Sequence, residues 1–142
     1  MHRIFFPLLI FLFLSVPGLA RAEISDYRPI LKLTHGADSL ELASYRRSPD
    51  GERRLALIAD DCDQPGPGIL LLPKETCVQL GALLQRAQAR IYTNNLIGRI
   101  DTAIVLTHNG SVAISIKSRI FIFSNVDDIN RLTAMLLTEG GE

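Results

Sequence analysis

The chain has 142 residues, with 15 Lys and Arg against 15 Asp and Glu and a formal net charge of zero at pH 7. That length holds one domain with a real core, and the balanced charge gives no bulk attraction for nucleic acid or an anionic membrane. Tryptophan is absent and only 6% of residues are aromatic, which argues against sugar-binding or base-stacking platforms.

The first 22 residues read as a secretory signal peptide. His2 and Arg3 open it, Ile4 to Leu14 form an apolar run interrupted only by Pro7, and Pro17-Gly18 break the run. Ala20-Arg21-Ala22 then places small residues at the −3 and −1 positions of a cleavage site. The run is shorter than the ~20 residues a membrane helix needs, and no cysteine follows to carry a lipid. The expected mature chain is a single domain, residues 23–142, exported to the periplasm of a Gram-negative host or otherwise secreted, with no transmembrane helix after cleavage. It keeps 13 Lys and Arg against 15 Asp and Glu, a net charge of about −2.

Down the mature chain, strand signals come first. Ile30-Leu31-Lys32-Leu33 leads to a turn at Gly36-Ala37-Asp38, and Ser39 to Tyr45 alternates Leu40 and Leu42 against Glu41. Ser48-Pro49-Asp50-Gly51 is a turn. Arg54 to Ala59 alternates again, a loop holds Gln64-Pro65-Gly66-Pro67-Gly68, and Ile69 to Leu72 is a continuous apolar strand. Pro73 opens an amphipathic helix over 74–90 with Cys77, Leu80, Leu83, Leu84 and Ala87 on one stripe. Residues 90–99 read as a connector. Ala103 to Leu106 then pairs with Val112 onward through Asn109-Gly110, a strong hairpin signal. Residues 112–123 form one bent strand or two strands hinged near Lys117-Ser118. A last helix opens with a capping-box variant, Ser124-Asn125-Val126-Asp127. Its stripe is Ile129, Leu132, Met135 and Leu136, and Gly140 and Gly141 end it.

The expected class is therefore α+β: an antiparallel sheet of about six to seven strands with two amphipathic helices. Leu33-Thr34-His35 and Leu106-Thr107-His108 each precede a turn and a Ser-led strand. This reads as a duplicated β-β-β-α unit with half-repeats at 23–90 and 100–142, although hairpin-rich chains also produce such short matches by chance. A duplicated strand series ending in a helix is similar in layout to single-stranded nucleic-acid-binding folds of the Pur-alpha type. No signature residues carry that likeness, so it assigns neither a family nor a function.

Candidate sites are few. Arg46-Arg47 and Arg53-Arg54 flank one tight turn, and guanidinium groups grip carboxylates and phosphates bidentately. These four are the candidate residues for an anionic partner; a solvated tip that blocks edge pairing explains them as well. Cys62 and Cys77, an even pair in an exported chain, read as a disulfide. Asp60, Asp61 and Asp63 could help bind calcium, but the spacing lacks the pattern of a calcium loop. His35 and His108 could share zinc only if the fold brought them together with a carboxylate. Asn109-Gly110-Ser111 also fits a glycosylation acceptor, though the hairpin turn explains the same residues. No metal or other cofactor is expected. The motifs of serine hydrolases, zinc proteases, dithiol oxidoreductases and phosphate-binding loops are all absent from the sequence.

The functional expectation is a small exported, non-enzymatic binding or adaptor protein with a protein or envelope partner. The alternatives are an anionic-polymer or single-stranded nucleic-acid binder using the arginine hairpin, or a small hydrolase with an unrecognised site. Composition makes a nucleic-acid partner the less favoured of these, and it does not address oligomeric state.

Overall fold

A computed structural model describes residues 24–47 and 51–141. The leader and its cleavage site, the turn residues Ser48, Pro49 and Asp50, and Glu142 lie outside the described residues. In chain order the elements are β1 (Ile24–His35), β2 (Asp38–Arg47), β3 (Glu52–Asp60), β4 (Gly68–Leu72), α1 (Lys74–Ala89), β5 (Leu96–Ile100), β6 (Ala103–His108), β7 (Ser111–Ile116), β8 (Arg119–Ile122) and α2 (Val126–Gly141).

The α+β class and the two helices agree with the sequence reading; the sheet arrangement does not. Two four-stranded antiparallel sheets replace the single sheet, ordered β1-β2-β3-β4 and β5-β6-β7-β8. Each half is a four-strand meander followed by a helix, so the unit is β-β-β-β-α over 24–89 and 96–141. The Leu-Thr-His matches had suggested a different frame. Leu33-Thr34-His35 closes β1 and Leu106-Thr107-His108 closes β6, so they sit at the first hairpin of one half and the second hairpin of the other.

Local chemistry accounts for the strand boundaries. The Asn109-Gly110 turn has both residues at positive φ, 49° and 79°, which matches the twist a two-residue hairpin needs. Lys117 and Ser118 adopt the same region, at 49° and 70°, and Ile116 pairs with Arg119 across them. Residues 112–123 therefore contain two strands. β1 starts six residues before the expected Ile30, carried through Pro29 by register shifts between Ser25 and Arg28 and between Pro29 and Leu31. β5 begins inside the expected connector and takes its last four residues, 96–99. Its Gly98 faces α1, where a Cβ would fall 2.5 Å from Leu83 Cδ2.

The helices run antiparallel in close contact. Asn125, rather than Ser124, caps α2: its side-chain oxygen accepts the Asp128 N–H at 2.8 Å. Gly140 does not stop the helix. A Cβ there would sit 2.9 Å from Cys77 Cβ, Lys74 O and Val78 Cγ2, while one on Gly81 would sit 2.8 Å from Leu137 Cδ2. These glycines let the two backbones approach.

One apolar core joins both sheets to both helices. Leu40, Leu42, Leu57 and Leu70 contribute from the first sheet, Val105, Ile114, Ile116 and Phe121 from the second, and Leu80, Leu84, Ile129, Leu132 and Leu136 from the helices. Phe121 and Phe123 meet edge-to-face at 5.3 Å. Among the described residues no helix is long and apolar enough to cross a membrane.

The acidic loop ties the halves together. Asp61, only 8% exposed, accepts the Asp63 N–H at 3.0 Å through Oδ1 and the Ile120 N–H at 3.2 Å through Oδ2. The Arg119 guanidinium donates to Pro65 O at 2.7 Å and Gly66 O at 3.2 Å. Gly68 then passes so near β7 that a Cβ would lie 2.3 Å from Ile116 O.

Candidate anion-binding site

The four arginines of the β2–β3 hairpin do not converge on one spot. Side chains alternate across a strand, and the ladder pairs Arg46 with Arg53, Arg47 with Glu52, and Tyr45 with Arg54. Arg46 and Arg53 therefore share the face that carries Leu42 and Leu57, beyond the end of the core. Arg47 and Arg54 lie on the opposite face, where Arg54 Nη2 comes within 3.9 Å of Glu52 Oε2.

Two guanidiniums directly opposite one another repel, and a residue absent from the sequence reading relieves this. Asp26 stands at φ 54° within the β1 irregularity, a conformation uncommon for a non-glycine residue. Its carboxylate accepts from Arg53 Nη2 at 2.5 Å, Arg28 Nε at 2.9 Å and Arg46 Nε at 3.2 Å. Desolvation pushes the Asp26 carboxyl up, but hydrogen bonds from Arg53, Arg28 and Arg46 outweigh it and hold the group below the ordinary carboxylate range. Each arginine gives Asp26 one N–H only. Arg53 Nη1 donates to Ser44 Oγ at 2.6 Å and Arg46 Nη1 to Gly51 O at 2.9 Å.

Arg53 also borders an open cleft of about 580 Å³, lined by Arg47, Arg54, Lys74, Glu52 and Glu139 over a floor that includes Leu71 and Leu72. Arginine trio and cleft together place six cations (Arg28, Arg46, Arg47, Arg53, Arg54, Lys74) with three carboxylates (Asp26, Glu52, Glu139) at one end of the molecule, counting described residues.

The other sequence candidates fare differently. Cys62 and Cys77 are both free, Cys62 exposed in the acidic loop and Cys77 buried in the core, so the expected disulfide is not formed. The Asp38 hydrogen bond, then desolvation and the charges of Asp38, Asp63 and Asp61, push the Cys62 thiol up to about 11. Burial, then Glu139, pushes Cys77 up to about 11.

Of the three loop acids only Asp61 joins a ligand-capable group, with Asp38 and Cys62 inside 4.8 Å. Its carboxylates already accept backbone amides, Asp38 taking the Cys62 N–H at 2.8 Å. His35 and His108 are engaged separately: His35 Nδ1 donates to Ser124 Oγ at 3.0 Å, and Asn109 Nδ2 donates to His108 Nε2 at 3.0 Å.

The sequence shows the arginine pairs but not their counter-ion. Asp26 lies 20 and 27 residues from Arg46 and Arg53, and only the long, irregular β1 brings it alongside. The Asp26-x-Arg28 pattern is too common to have marked it. No family model matches this chain, and no curated protein or solved structure is similar enough to count as a match.

Proposed function

We propose that this is an exported, non-enzymatic binding protein whose arginine end takes an anionic partner. The observation that carries this reading is the charge clustering: among the described residues, six cations stand with three carboxylates at one end of a chain whose formal net charge is zero. Such a patch favours phosphate-, sulfate- or carboxylate-bearing ligands through charge-assisted hydrogen bonds. The leucines of the cleft add an apolar surface beside the charges, as binding sites generally have. An anionic polymer of the cell envelope, or an acidic segment of an envelope protein, meets both requirements.

The test compares wild-type protein with Arg46→Gln/Arg47→Gln/Arg53→Gln/Arg54→Gln on a heparin column and in pulldowns from envelope extract, at low and moderate salt. Wild type should be retained and elute with salt, because releasing counter-ions makes such contacts salt-sensitive. The variant should pass through while keeping the wild-type circular dichroism. Identical retention and identical partner profiles for the two proteins would return the hairpin to a solvated tip.

A further inference from the structure

We propose that Asp26 is a built-in counter-anion that occupies the Arg28–Arg46–Arg53 trio and lowers its affinity for external anions. The inference rests on the anion-binding reading above and deepens it. Three features support it. First, the carboxylate is carried to the trio by a backbone irregularity with φ 54°, and such irregularities commonly re-aim a side chain beside a functional site. Second, all three contacts are single-point bonds, weaker and less specific than the two-point fork a guanidinium makes with a well-placed carboxylate, phosphate or sulfate. Third, among the described residues three guanidiniums around one carboxylate leave a local surplus of two positive charges. All three arginines remain open to solvent, at 67%, 48% and 32% side-chain exposure for Arg28, Arg46 and Arg53.

An incoming group must therefore outcompete Asp26 or share the trio with it. A single carboxylate offers no more charge than Asp26 already supplies. A dianionic phosphate or a run of sulfates matches the surplus. The trio should thus prefer multiply charged anions, and Asp26 is the residue that sets the threshold.

Asp26→Asn removes the charge and keeps the shape. Asp26→Gly removes the side chain and also suits the positive φ, so it provides a folded variant if the first is unstable. A defined heparin oligosaccharide, titrated calorimetrically at constant salt, is the probe, with a glutamate oligopeptide of equal length as the comparison. Binding of the oligosaccharide should tighten several-fold, up to about tenfold, in both variants. This is the scale of one unit charge near an exposed site about 5 Å away. The glutamate peptide should gain more than the oligosaccharide, narrowing the preference. If wild type binds and the variants bind equally or more weakly, Asp26 positions the arginines instead, and this inference falls while the binding site stands. Binding by the variants alone supports the inference in its strongest form. If no protein binds, both readings are overturned.

Discussion

Replacing Gly68 by Ala sets two physical effects against each other with opposite signs. Gly68 is the first residue of β4, and glycine within a strand is at most roughly 0.5–1 kcal/mol worse than alanine on conformational entropy, so local propensity alone expects stabilisation. The structure expects the reverse. The new methyl carbon would lie 2.3 Å from Ile116 O, 3.2 Å from Ile116 C and 3.1 Å from Arg119 Cδ. Two of these are backbone atoms of β7, which cannot swing aside as a side chain does. Reaching normal contact requires β4 and β7 to separate by close to 1 Å, at the point where Arg119 grips Pro65 O and Gly66 O. Overpacking of this kind costs typically 1–3 kcal/mol, and weakening two hydrogen bonds from a charged donor adds about 1–2 kcal/mol. After the propensity gain, the net loss is roughly 1–4.5 kcal/mol, centred near 3. At roughly 4 °C per kcal/mol for a domain of this size, Tm should fall by about 4–18 °C, centred near 11 °C. Urea unfolding followed by circular dichroism measures the same quantity, with an unchanged slope marking a native-state effect. Gly98→Ala is the control, because its nearest contact is Leu83 Cδ2, a side-chain end that can rotate away; its loss should be clearly smaller. A neutral or stabilised Gly68→Ala protein would show that the two halves do not meet as tightly as described.

Other outcomes follow from the thiols and the leader. Under non-reducing conditions the native protein should present one accessible thiol, Cys62, and a second, Cys77, only on unfolding; mass spectrometry after alkylation would detect a bridge as the absence of both adducts. Cys62 alkylation should keep accelerating toward about pH 11 instead of levelling off near the ordinary thiol value of 9.0, because the thiolate is the reactive form. Both thiols bind their proton more tightly folded than unfolded, so the stability they contribute is intact below pH 9.0 and is lost as pH rises toward about 11. If the leader is cleaved after Ala22, the exported protein should begin at Glu23 by intact mass, and recovery of the full chain from membranes would oppose export.

The sequence was most legible where one residue pattern dictates one geometry. Asn109-Gly110 specified its hairpin, Pro73 and the Cys77–Leu80–Leu84–Ala87 stripe specified α1, and the Leu40/Leu42 alternation gave β2 its inward face. It was least legible where tertiary contact overrides local preference. Lys117 and Ser118 both adopt positive φ without the glycine or asparagine that announces such a turn. Gly98 falls within the expected connector, whereas it lets β5 pass under Leu83. Gly140 looked like a helix end, whereas it makes room for Cys77. The cysteine pair was inferred from count and compartment, which carry no distance. The arginines were visible as a cluster, but strand alternation divides them between two faces, and their carboxylate partner comes from a distant strand.

The Asp61–Arg119 clasp has a consequence for how the molecule breathes. Each half alone is a sheet and a helix with a large apolar face, an arrangement that by itself would let the chain open like a book at the seam. Here the loop that leaves β3 is fastened to the far half by side-chain bonds to backbone atoms at Ile120, Pro65 and Gly66. Opening the seam would strand the Asp61 carboxylate and the Arg119 guanidinium together with their backbone partners. Amide exchange at Ile120 and Asp63 should therefore track the slowest core amides rather than those of the surrounding loop. The protein would then protect its surface loop as though it were interior, and its two meanders would unfold in one step.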